Sequence, residues 1–110
     1  ETRRSARSPM KGHVEILVNG NRSQLVDLSI SGAQALVPTR LRPGQSLRVA
    51  LLDGSTEIRC KGVVAWSAAE PGHAAMRYRI GVQFVDPEKD VIEAFCVRYG
   101  ARPDQTFGAA

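Results

Sequence analysis

His13-Val14-Glu15-Ile16-Leu17-Val18-Asn19-Gly20-Asn21 sets the architecture of this chain. Val14, Ile16 and Val18 alternate with His13, Glu15 and Leu17, the period of two expected of a strand with one buried face. Asn19-Gly20-Asn21 reads as a tight hairpin turn, because asparagine and glycine tolerate the positive φ values such turns need. The reading extends outward in both directions along the chain. A second strand is expected over about residues 23–28 and a third over about 33–37, ending at Pro38. Arg42-Pro43-Gly44-Gln45 has the composition of a β-turn. It introduces the alternating Leu47, Val49 and Leu51, which Asp53-Gly54 closes. The longest strand places Ile58, Cys60, Gly62, Val64 and Trp66 on one face and Glu57, Arg59 and Lys61 on the other. Beyond Pro71-Gly72, a last strand carries Tyr78, Ile80, Val82 and Phe84. Six short strands at hairpin spacing predict a mainly β fold, a small antiparallel β-barrel.

The period then changes. Asp86 is expected as the N-cap of a C-terminal α-helix, with Pro87 at its first position and Glu88 favouring the positive end of the dipole. Val91, Ile92, Phe95 and Tyr99 fall on one helical face, and Gly100 is a natural stop. Pro9 and Gly12 discourage regular structure before His13. Residues 1–12 are therefore read as a flexible arginine-bearing segment, 13–100 as barrel plus helix, and 101–110 as a disordered tail.

Composition narrows the function. At 110 residues the chain is one domain with enough apolar content, 43%, for a core of its own. No apolar run reaches the length of a membrane span, and the polar, arginine-rich start does not read as a secretory signal. Cys60 and Cys96 belong to no ligand cluster and are expected as small buried hydrophobes, consistent with a cytoplasmic protein. His13 and His73 have no partner at metal spacing, so no metal site is expected. Arginine supplies 12 of the 15 basic residues, and Arg3, Arg4 and Arg7 crowd the first seven positions. So local an excess favours a specific anion site over a general polyanion surface.

Two motifs carry the chemistry. Arg3-Arg4-Ser5-Ala6-Arg7 gives Arg-x-x-x-Arg, and Asp27-Leu28-Ser29-Ile30-Ser31-Gly32 gives Asp-x-Ser-x-x-Gly. Guanidinium groups form paired charge-assisted hydrogen bonds to phosphate, reach O6 and N7 of guanine in the same forked manner, and stack on base faces. The Asp27 carboxylate suits the N1 and N2 donors of guanine, which adenine does not present. Ser29 offers a small hydroxyl, and Gly32 permits positive φ or a close approach. The composition fits a guanine-containing anion. Each motif also has a plain reading, as a solvated tail or as an Asx-type turn between strands.

In this order and about twenty residues apart, the two motifs resemble the signature of the PilZ domain, a bacterial receptor for cyclic di-GMP. Val63-Val64-Ala65-Trp66 and Tyr78-Arg79-Ile80-Gly81-Val82-Gln83-Phe84 resemble later landmarks of that family, so the likeness spans about residues 1–99. Ser31 stands where a second glycine often precedes Gly32. The resemblance implies a six-stranded barrel followed by a helix, and a cyclic di-GMP site. Arg3 and Arg7 would hold phosphate and guanine with help from Arg4, Asp27 would read the guanine edge, Ser29 would support base or phosphate, and Gly32 would shape the turn. Thr2 rather than arginine precedes the first motif, which by the resemblance leans toward one bound nucleotide rather than a stacked pair.

The resulting expectation is a non-enzymatic signalling module. Bound cyclic di-GMP would fix the N-terminal segment across the barrel mouth, creating a surface read by a partner protein or a covalently linked domain. No cofactor, nucleic acid or membrane insertion is expected. No nucleophile–base pair or nucleophile elbow supports a hydrolase. Two alternatives remain: a PilZ-like barrel working through protein contacts alone, and a small nucleic-acid-binding barrel. The second usually wants more exposed aromatics than the 5% found here. Trp66 is assigned to the barrel core rather than to stacking on guanine. Arg77 and Arg79 are read as a solvated strand face, with Gln83 on the same side as Arg79.

Overall fold

The computed structural model describes residues 8–71 and 76–100. Arg3, Arg4 and Arg7 lie outside the described residues. Six strands, β1 (Ser8–Val18), β2 (Asn21–Leu28), β3 (Gly32–Val37), β4 (Ser46–Asp53), β5 (Thr56–Pro71) and β6 (Met76–Val85), precede one helix, α1 (Lys89–Tyr99). All neighbours run antiparallel. They close in the order β1-β2-β3-β6-β5-β4, so the expected barrel is the observed one. No helix among the described residues is long and apolar enough to cross a membrane.

Local chemistry explains the joints. The β1–β2 hairpin pairs Val18 with Asn21 across Asn19 (φ 52°) and Gly20 (φ 84°). Positive φ at both central residues makes this a primed turn, whose twist matches that of the strands it joins. Arg42-Pro43-Gly44-Gln45 turns with Gly44 at φ 89°, and the Gln45 N–H donates to the Arg42 carbonyl. The alternating apolar residues fill one continuous core. Ile16, Leu25, Leu28, Leu51, Val64 and Ile80 are among its most deeply buried barrel members, and Ile92 and Phe95 of α1 join the same core.

Three local expectations are corrected. β1 starts at Ser8 rather than His13, because a register shift between Pro9 and Val14 absorbs Gly12 (φ 65°) and lets residues 8 and 9 pair with β2. The helix starts at Lys89, with Glu88 rather than Asp86 as N-cap. An N-cap needs extended backbone angles, whereas Asp86 has φ 47°. Val91 does not join Ile92 and Phe95 on the buried face and is exposed. Gly100 does end the helix, donating its N–H to the Cys96 carbonyl. From there it forms an isolated bridge with Met10 of β1.

A cluster of three side chains clamps the end of α1 to the β4–β5 hairpin. The Tyr99 hydroxyl donates to Asp53 at 2.7 Å, and the Arg98 guanidinium pairs with the same carboxylate. These bonds, Tyr99 first and Arg98 second, hold the Asp53 carboxyl below its ordinary value. Neither cysteine is fully buried as expected. Cys60 and Cys96 are both half-buried, with burial pushing the Cys60 thiol up and the Glu88 charge adding to it.

Candidate functional site

The Asp27–Gly32 motif straddles the end of β2 and the start of β3. Its Ser29 is only 2% exposed. The Ser29 hydroxyl accepts from the backbone N–H groups of Ser31 and Gly32, both at 3.2 Å, and lies 3.3 Å from the Gly32 carbonyl. This is a self-satisfied turn in which a serine side chain replaces backbone partners. Gly32 shows why the turn needs glycine. A Cβ there would lie 2.2 Å from the Val82 carbonyl oxygen of β6. Close approach to the barrel's own backbone is the constraint, not positive φ.

Asp27 points the other way. A register shift between Leu25 and Asp27 leaves Leu25 and Leu28 inward and Asp27 on the outer surface, half-buried. There it accepts from Gln34 Nε2 at 3.1 Å. Strand register extends this contact into a row. Pro9 of β1 is paired with Asp27, Asp27 with Gln34 of β3, Gln34 with Gly81 of β6, and Gly81 with Trp66 of β5. Three of these five strands, β1, β2 and β5, have a register shift beside their contribution to the row. Such irregularities re-aim side chains and are common beside functional sites.

Trp66 is therefore not a core residue. The shift between Val64 and Trp66 against β6 breaks the alternation, so Val64 is buried while Trp66 is 40% exposed. Its indole lies over Gly81, where an added Cβ would sit 2.3 Å from Nε1 and 2.5 Å from Cε2. A glycine inside a strand marks such a close approach. Gly81 was thus the available signal for an outward tryptophan, and Gln34 had no signal beyond its register.

Arg79 and Gln83 flank Gly81 on the outer face of β6, with Gln83 exposed and Arg79 half-buried. Arg79 is held by Glu70 in a forked pair, Nε to Oε1 at 2.8 Å and Nη2 to Oε2 at 3.1 Å. The Glu70 bond, and more weakly the Asp27 charge, raise its pKa. The same pairing holds Glu70 below the usual carboxylate range. Arg79 is thus an oriented cation within the electrostatic reach of Asp27, rather than the merely solvated residue expected.

The arrangement offers a carboxylate, an amide, an indole face and a fixed guanidinium on one outer surface. It begins where the arginine motif ends: Ser8, the residue after Arg7, pairs with Leu28, and Pro9 with Asp27. No curated protein and no solved structure matches the chain. The PilZ domain model, by contrast, matches residues 1–98. With the closed barrel, the terminal helix and the motif geometry already described, the chain belongs to the PilZ domain family, a family of cyclic di-GMP-binding modules.

Proposed function

We propose that this protein is a cyclic di-GMP receptor that takes the nucleotide on its outer surface, between the arginine segment and the row from Asp27 to Trp66. The observation that carries this reading is the register of Ser8 with Leu28 and Pro9 with Asp27. The chain that follows the first motif thereby lies beside the second. Arg3, Arg4 and Arg7 supply the charge for two phosphates and the fork for guanine. Asp27 accepts from the guanine edge, and Gln34 orients its carboxylate. Trp66 presents a face for a base, and Arg79 adds an oriented positive charge. Ser29 and Gly32 act beneath this surface by fixing the turn.

The chemistry is recognition without a catalytic step. Bound nucleotide neutralises the arginines and fixes their segment against β2, and a partner protein or linked domain reads the surface so formed. The helix α1 is tied to the same place. Cys96 Sγ lies 3.7 Å from the Leu28 carbonyl and Met10 bridges Gly100, so α1 contacts the strand ends beside the site.

Calorimetric titration tests the reading. Cyclic di-GMP should bind saturably, GTP and cyclic di-AMP should not compete, and Arg7→Ala and Asp27→Ala should each weaken binding about 10- to 100-fold. That range corresponds to the loss of one charged hydrogen bond, about 1.5–3 kcal/mol. Equal affinity for cyclic di-AMP, or full affinity in both variants, would overturn it.

A further inference from the structure

β5 outgrows the barrel. It is 16 residues long, yet β4 pairs with it only from Thr56 to Val63. Two backbone bonds, Val64 N–H to the Gln45 carbonyl and Gly44 N–H to the Val64 carbonyl, finish that side. From residue 65 to residue 71, β5 pairs with β6 alone among the described residues. Where the next stretch of β4 would lie, the β3–β4 connection stands off instead. Between the two is a groove of about 770 Å³. Arg40, Leu41, Arg42 and Pro43 form one wall, and Ser67, Ala69, Met76 and Tyr78 the other.

A strand edge with no partner among the described residues, in an otherwise closed barrel, is a template for another strand. The side chains along this edge are small, Ala65, Ser67, Ala68 and Ala69, and leave the backbone accessible. Of its larger residues, Trp66 covers Gly81 on the outer face and Glu70 is tied to Arg79. The groove also has a sign. Among the described residues, two arginines line it and no carboxylate does, and neither arginine has an ion-pair partner. Leu41, Met76 and Tyr78 make its walls partly apolar, with Met76 49% exposed. A second copy of this chain would bring its own Arg40 and Arg42 to the same place, so like charge opposes self-pairing.

We propose that the β5 edge from Ala65 to Pro71 is a docking site for an extended acidic segment of a partner protein, added as a strand. Its backbone pairs with β5, its carboxylates meet Arg40 and Arg42, and alternate apolar side chains rest on Leu41, Met76 and Tyr78. Backbone pairing supplies affinity and the arginines select the charge. This surface requires no nucleotide, so its test stands apart from that of the receptor reading.

The probe is a fluorescein-labelled heptapeptide of alternating glutamate and valine, followed by anisotropy and by amide shifts of the ¹⁵N-labelled full chain. A lysine–valine heptapeptide and an alternately N-methylated glutamate–valine heptapeptide serve as controls. The acidic peptide should bind saturably, shift the amides of residues 65–70 and protect those that face the open edge, and lose about 10- to 100-fold in affinity with Arg40→Ala or Arg42→Ala. Both controls should bind at least tenfold more weakly. N-methylation removes the peptide's donors without touching the protein, so that arm is independent of any effect of the variants on folding. No saturable binding up to millimolar peptide would overturn the proposal. So would equal binding of the lysine peptide, or shifts confined to Arg48, Arg59 and Lys61 on the basic face of β4 and β5. A dimer that forms through the 65–71 edge and excludes the peptide would overturn it as well.

Discussion

The Ser29–Gly32 turn and the row from Asp27 to Trp66 lie side by side and are built in opposite ways. In the turn, polar groups satisfy one another. The Ser29 hydroxyl serves two backbone N–H groups, and the Ser29 N–H donates to the Gly32 carbonyl at 2.8 Å. In the row, groups are oriented but left facing outward: Asp27 by Gln34, Trp66 by Gly81, Arg79 by Glu70. One six-residue motif therefore contains both a structural half and a surface half. Loss of affinity in a motif variant can mean either a broken contact or a broken barrel, and only the geometry tells which is expected.

The largest effect that could break this division is at Gly32. Alanine there would place its Cβ against the Val82 carbonyl, a backbone atom that cannot step aside without disturbing the β3–β6 pairing. Gly32→Ala should cost about 3 kcal/mol or more in chemical denaturation, with loss of binding following loss of fold. Stability equal to the parent would mean the close approach is not a constraint.

Ser29 and Asp27 form the next contrast. Ser29→Ala removes the acceptor for two N–H groups and should lower stability by about 1–2 kcal/mol, in the range of a lost helix cap or hydrogen bond. Its effect on affinity, measured well below the unfolding transition, should be smaller than that of Asp27→Ala. Asp27→Ala should do the reverse, weakening cyclic di-GMP while lowering stability by under about 1.5 kcal/mol. If the two variants behave alike, the motif does not divide.

The smallest effect lies away from both regions, at the Asp53 clamp on α1. Because Asp53 has a folded pKa below its ordinary value of 3.8, it contributes stability that is present above that value and lost as pH falls through the lowered one. An acid titration of parent and Asp53→Asn should therefore show a stability gap at neutral pH that closes below about pH 4. A gap independent of pH would assign the clamp to packing instead.

Much of this was legible in the residues, for definite reasons. Alternation located the first, fourth, fifth and sixth strands because each buries one face over much of its length, and Asn19-Gly20 and Pro43-Gly44 marked turns whose φ values few other residues tolerate. The barrel and its helix were expected and observed. What failed was alternation carried across register shifts. One extra residue in a strand changes the face of all that follow, and so Trp66 was assigned to the core. The early start of β1 was hidden for the same reason, since Gly12 reads as a breaker unless the shift that absorbs it is known. The forked pair of Arg79 and Glu70 joins strands through a hairpin whose register the sequence alone does not specify.

The most direct test of the account is the emission of Trp66, the single tryptophan, during titration with cyclic di-GMP. The account predicts a saturable emission change with the same midpoint as the calorimetric heat. In Gly81→Ala, whose methyl group displaces the indole, the change should be altered and the affinity lower. Calorimetric binding with Trp66 emission unchanged would contradict the account, because the nucleotide would then lie away from the row.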